Sequence, residues 1–175
     1  KETCHCKIIR HFVNFGKGIA LKSAFNYILE QRPDIKGAVT VDCDGQHVLP
    51  DINTCAKLTY EHPDSLILGC RQFDDKEIPL RSRFGNKLTR QMIRLLCGIH
   101  VSDTQTGLRG LPTPLIREHF ANVKGERFEY EMNMLIAAKE YQIPIEEFPI
   151  QTLYLANNES SHFNPFIDSI RIYKV

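Results

Sequence analysis

Asp42 and Asp44 stand one residue apart behind a β-branched run, in "VTVDCDGQHVLPDI" (Val39 to Ile52). Two carboxylates at that spacing can hold a hard divalent cation, form part of a calcium loop, or end a strand and begin a turn. Alternate side chains of an extended chain point the same way, so an extended backbone would project Asp42, Asp44 and Gln46 together. Two carboxylates and an amide carbonyl suit Mg²⁺ or Mn²⁺, and three protein ligands leave positions open for substrate phosphates. His47 has the opposite parity and is read as a non-ligand. In the calcium-loop pattern Asp42, Asp44, Gly45 and Asp51 would fill four places, but Thr40 stands first and no Glu closes the loop. The run "GAVTV" before it also reads as strand, where a calcium loop needs an entering helix. The plainer reading, in which Asp42 ends a strand and Asp44-Gly45 makes a turn, stays beside the metal reading.

Other residues carry weaker signals. "NFGKG" places a tight turn before a helix, where anions can bind, but the phosphate-loop pattern is incomplete and Lys17 is read as solvated. Arg71 follows an apolar run, where it is either a solvated surface residue or a planar fork that suits phosphate oxygens. Asp103 lies in "SDTQTG", where it is either a turn-forming Asp or a working carboxylate. Cys4-His5-Cys6 near His11 is the one Cys/His cluster, and its spacing does not match a zinc motif.

The elements that must position these groups follow from periodicity. "CKIIRHF" reads as a strand. Ile19, Leu21, Ala24, Phe25, Ile28 and Leu29 recur at helical spacing and stop before Pro33. "GAVTVD" and "SLILGCR" are short apolar runs of the kind buried on both faces of a parallel sheet, with the helix "PDINTCAKLTYEH" between them. This strand–helix–strand–helix–strand order predicts a mostly parallel sheet flanked by helices, with the acidic pair at the carboxyl end of a strand, where open α/β sheets place ligands. A helix is expected from about Ser82 to Leu96. "GIHVSDTQTGLRGLP" is rich in turn residues and short of core residues. Helical patterns return at "TPLIREHF" and "ERFEYEMNMLIAAKEYQ", and "IPIEEFPIQTLYL" reads as a strand with Pro149 at an edge or bulge. In the amphipathic end, Phe163, Phe166, Ile167, Ile170 and Val175 lie on or near one face with Arg171 and Lys174 among the polar positions, which suits packing on the sheet or a membrane surface.

Length and composition bound the answer. The 175 residues suit one domain, 1–175, with an ordinary 42% hydrophobic and 25% charged content. A net charge of +1 calls for no nucleic-acid partner. A chain of this size does not need disulfide staples, so its six cysteines are expected to be reduced thiols of the cytoplasm. No signal peptide and no apolar run of spanning length occur within it.

Taken in order, "VDCDGQH", "SRFGNKLTR", "SDTQTGLRGLP", "ERFEYEMNML" and "SSHF" resemble the family 2 glycosyltransferases, and within them the polyprenyl-phosphate (dolichol-phosphate mannose or glucose synthase-like) group. The resemblance covers nearly the whole chain. It implies an α/β, Rossmann-like GT-A fold and metal-dependent, inverting transfer of a sugar from a UDP- or GDP-linked donor to a dolichyl or undecaprenyl phosphate at the cytoplasmic face of a membrane. It also implies roles: Asp42, Asp44 and Gln46 for Mg²⁺ or Mn²⁺; Arg71, Ser82, Arg83 and Arg127 for the donor and acceptor phosphates; Asp103 as the catalytic carboxylate near sugar and nucleophile. The family's first strand and its "PAYNE"-like base-recognising stretch have no counterpart here, so the chain is expected to be a partial domain. Transmembrane segments or an anchoring domain outside these residues are expected from the resemblance, and a homo-oligomer stays open as a further partner state. Transfer to a saccharide hydroxyl, a non-catalytic glycosyltransferase-like domain and a calcium module are the alternatives.

Overall fold

Leu66, Leu68 and Cys70 pack into one apolar cluster and Ile67 into another. This alternation shows a strand buried on both faces, as its unbroken apolar run predicts. A computed structural model of the chain describes residues 6–71, 90–91, 94–95 and 97–151. Four strands form one sheet: β1 (Gly37–Thr40), β2 (Leu66–Arg71), β3 (Arg109–Pro112) and β4 (Ile145–Ile150), in the order β1-β3-β2-β4. Helices α1 (Lys17–Gln31), α2 (Leu49–Glu61), α3 (Thr113–Glu118) and α4 (Glu129–Glu140) cover it. The larger core joins Phe25 of α1, Ile116 of α3, and Tyr130, Met134 and Leu135 of α4 to one face. On the other face Cys55 of α2 meets Ile67, Leu108, Phe148 and Ile150. The result is a three-layer α/β arrangement.

Three expectations need correction. First, the sheet is mixed. β2 and β4 are parallel, but β3 lies between β1 and β2 and is antiparallel to both. β1 and β2 therefore run the same way without touching. Second, "RGLP" is that inserted strand, although its segment reads as turns. Arg, Gly and Pro are poor strand formers, yet all four residues are buried, so tertiary packing overrides propensity. Third, "CKIIRHF" is not a strand: no described strand pairs with it, and Ile8, Phe12 and Val13 stand exposed, Phe12 at 89%. β1 is only half-buried along its length. The described residues 90–91, 94–95 and 97 are helical, in line with the end of the expected helix. Pro149 falls in β4, which has a single described neighbour, consistent with an edge position.

Gly110 shows why a glycine sits inside β3. A methyl there would land on Thr59 Oγ1 and come within 3.1 Å of Ile67 and 3.2 Å of the Cys55 sulfur. Thr59 is itself tied to the Cys55 carbonyl at 2.7 Å, so α2 cannot yield cheaply. Gly110→Ala is expected to destabilise the fold by about 1–3 kcal/mol and lower the melting temperature by roughly 2–10 °C, checked by thermal unfolding. An unchanged melting temperature would contradict this close approach of α2 to β3.

Candidate functional site

Because β3 runs opposite to β1 and β2, its first residue lies beside the last residue of β1 and the middle of β2. Thr40 and Leu68 both register with Arg109. The loop Asp103–Leu108, which feeds β3, is thereby delivered to the carboxyl edge of β1 and β2, next to Asp42 and Arg71. The candidate site is built on this edge.

Asp42 follows β1. Its Oδ1 accepts a 2.7 Å hydrogen bond from the Lys17 ammonium, which also lies 2.9 Å from Glu131 Oε2. Lys17 is thus not the solvated lysine of a tight turn; it bridges two carboxylates from the first residue of α1, with a side chain only 25% exposed. A lysine at a helix N-terminus opposes the helix dipole by roughly 0.3–1 kcal/mol, and the two carboxylates offset this. Burial pulls the Lys17 pKa down, but Glu131 and then Asp42 outweigh it and hold it above the ordinary lysine value. Gly107 faces the other oxygen of Asp42, and any side chain at Gly107 would collide with that carboxylate.

The chain turns at Cys43–Gly45, with Gly45 at φ 78°, and Asp44 Oδ1 accepts the Gln46 N–H at 3.1 Å. The extended backbone assumed for Asp42, Asp44 and Gln46 is therefore interrupted, and strand parity does not align their side chains. The turn keeps both aspartates at the strand's end, with Asp44 exposed. Among the described residues no group of three His, Cys, Asp or Glu side chains is placed to hold a metal. The two aspartates and the Gln46 amide still fit a cation shared with a ligand's oxygens, since they are oxygen donors at an open edge. The entering element is β1 and not a helix, which removes the calcium-loop reading.

Arg71 and Asp103, singled out for different roles, form one unit. Arg71 Nε–H donates to Asp103 Oδ2 at 2.6 Å and Nη2–H to Oδ1 at 2.9 Å. Oδ1 also accepts the Gln105 N–H at 3.1 Å. Asp103 is fully buried, while Arg71 keeps part of its surface in solvent. In this geometry Asp103 aims the guanidinium. Arg127 is exposed and its stem lies against Gly16, so it borders the start of α1. His47 has its Nδ1 buried without a hydrogen-bond partner. Ser82, Arg83 and the apolar residues from Phe163 onward lie outside the described residues.

Sequence reasoning missed Lys17, Gly107, Arg109 and Glu131. Arg109 is 1% exposed and spends its guanidinium on backbone carbonyls: Thr106 at 2.9 Å, Glu131 at 2.6 Å and Thr104 at 3.3 Å. It thereby clamps the Asp103–Leu108 loop to the start of α4. The available signals were a lysine opening a helix against its dipole and an arginine between apolar residues in "GLRGL".

No protein-family profile matches the chain. Among the described residues no helix is long and apolar enough to cross a membrane. The chain is 31% identical over 150 residues to an uncharacterized protein of Methanocaldococcus jannaschii, covering 84% of this chain and 61% of that protein. It is 32% identical over 149 residues, 83% of this chain and 59% of the relative, to a UDP-N-acetylglucosamine–dolichyl-phosphate N-acetylglucosaminyltransferase of Methanococcus voltae. It is 27% identical over 182 aligned positions to a dolichyl-phosphate beta-glucosyltransferase of Dictyostelium discoideum, covering 99% of this chain and 53% of the relative. The chain therefore spans between half and two thirds of the length of each of these curated relatives, two of which carry the names of dolichyl-phosphate sugar transferases.

Proposed function

We propose that the chain is part of a glycosyltransferase of the GT-A type, which moves a sugar with inversion from a UDP- or GDP-linked donor to a polyprenyl phosphate at the cytoplasmic face of a membrane. The observation that carries the reading is the gathering of Asp42, Asp44, Arg71 and Asp103 on one carboxyl edge, in a chain similar to dolichyl-phosphate sugar transferases.

Transfer requires the bond from the anomeric carbon to the diphosphate oxygen to break while an acceptor oxygen bonds from the opposite face. Asp42, Asp44 and Gln46 would hold Mg²⁺ or Mn²⁺, which supplies charge neutralisation to the departing diphosphate. Arg71, held in plane by Asp103, presents its solvent-facing side to phosphate oxygens. A phosphate monoester acceptor has a second pKa of about 6, by analogy with protein phosphates, so it is largely dianionic at neutral pH and needs no strong base. Both Asp103 oxygens are engaged by Arg71, which suits a supporting role better than proton removal. This favours the phosphate acceptor over a saccharide hydroxyl, which would need a free base.

The test is transfer of radiolabelled sugar by the full-length protein, with UDP- and GDP-linked donors offered against polyprenyl phosphate and against a saccharide. Metal-dependent transfer to the lipid is expected. Transfer only to the saccharide, or no metal-dependent nucleotide binding at all, would overturn the reading. Asp103→Asn is expected to lower lipid transfer by about 10–100-fold with an unchanged pH profile, as for a lost supporting contact. A loss accompanied by disappearance of a basic limb from that profile would instead make Asp103 the proton acceptor.

A further inference from the structure

Glu131 holds Lys17 by one oxygen only. Its Oε2 lies 2.9 Å from the ammonium, while its Oε1 is buried and has no hydrogen-bond partner. A buried carboxylate oxygen without a donor is costly to keep, by about 1–3 kcal/mol, more when charged. The Arg109 guanidinium stands 4.0 Å from Oε1 and directs its own N–H groups at the carbonyls of Thr104, Thr106 and Glu131. Lys17 carries three donor hydrogens and spends them toward Asp42 Oδ1 and Glu131 Oε2. A vacant acceptor therefore sits on the carboxylate that already holds the ammonium, with the Arg109 guanidinium 4.0 Å from it and beyond hydrogen-bond reach.

We propose that Lys17 is a displaceable counter-ion of the site: it neutralises Asp42 while no cation is bound, and when a divalent cation takes Asp42 the ammonium swings wholly onto Glu131, whose unpartnered Oε1 receives it. This deepens the proposed function and rests on its assignment of the cation to Asp42 and Asp44. Without Lys17, two carboxylates would face each other across the start of α1 and α4. With a lysine confined to Asp42 alone, cation and ammonium would compete for the same oxygen. Glu131 resolves the competition by offering the ammonium a second seat within reach. Lys17 and Glu131 are positioning residues here, setting how readily Asp42 accepts a cation.

The experiment measures Mn²⁺ affinity of the full-length protein by the spin-resonance signal of free Mn²⁺, with the metal alone, alongside thermal unfolding. Lys17→Met is expected to tighten binding about tenfold by removing a competing charge, and Glu131→Gln to weaken it about tenfold by confining the ammonium to Asp42. The double variant, which leaves neither charge alone, is expected to bind like Lys17→Met within about twofold, because Glu131 acts only through the lysine. If Lys17→Met does not fold, the same expectation is a double variant binding about a hundredfold tighter than Glu131→Gln, whereas independent field effects give about tenfold. An additive cycle, or a Lys17→Met that binds no tighter than the parent, overturns the displaceable counter-ion while leaving the cation site standing. Mn²⁺ binding that is undiminished in Asp42→Asn overturns the cation site itself, and this proposal with it.

Discussion

Asp42→Asn is expected to lower metal-dependent sugar transfer by about 10³-fold, roughly 4 kcal/mol of barrier, with a melting temperature close to that of the parent. The amide keeps the shape of the side chain in the space left by Gly107 but removes the charge that a divalent cation needs. Lys17 retains its Glu131 partner, so the fold loses only part of one ion pair. The full measurement sets transfer rate and Mn²⁺ dependence beside unfolding. Asp34→Asn is the matched control, since Asp34 is an exposed carboxylate paired with Arg32 and far from the carboxyl edge in role. Equal turnover for Asp42→Asn and the parent would remove the acidic pair from the chemistry.

Arg109→Met is the second large effect, and it falls on stability. The substitution leaves three backbone carbonyls without their donor and takes away a positive group 4.0 Å from Glu131 Oε1. Each buried orphan costs about 1–3 kcal/mol, so the three together cost at least about 3 kcal/mol, and the lost 4.0 Å attraction to Glu131 brings the expected total to about 4 kcal/mol or more. Against a usual domain stability of about 5–15 kcal/mol, the variant is expected to be marginal or unfolded at 37 °C. Urea unfolding measures it. A midpoint equal to the parent's would show that the Asp103–Leu108 loop holds its shape without the clamp.

What could be read from the residues divides along a physical line. β2, α1, α2 and α4 announce themselves because their signals are local: apolar runs, helical spacing, a proline at a boundary. The acidic pair and the Arg71 and Asp103 motifs are legible as chemistry for the same reason. β3 is hidden because its strand character comes from burial between β1 and β2 and not from its own residues. Lys17 is misread as solvated because its partners come from other elements, Asp42 after β1 and Glu131 in α4. The Arg71–Asp103 pair joins two correctly chosen residues whose mutual contact depends on how the loop before β3 is delivered. Parity failed at Cys43 because a glycine-assisted turn broke the strand rule one residue after the site began.

The inserted position of β3 also dictates an order of events during folding. Among the described strands β1 is bonded to β3 alone, through a pairing that closes 69 positions of chain between Thr40 and Arg109. Until residues 109–112 arrive, β1 has no sheet to join and Asp42 has no fixed address. Long closures of this kind slow folding, because loop entropy is lost before contacts reward it. The acidic pair is therefore expected to gain its fixed place only after residues 109–112 have emerged from synthesis. A chain stalled before Pro112 would carry the motif in its sequence and yet have no sheet edge on which to place it.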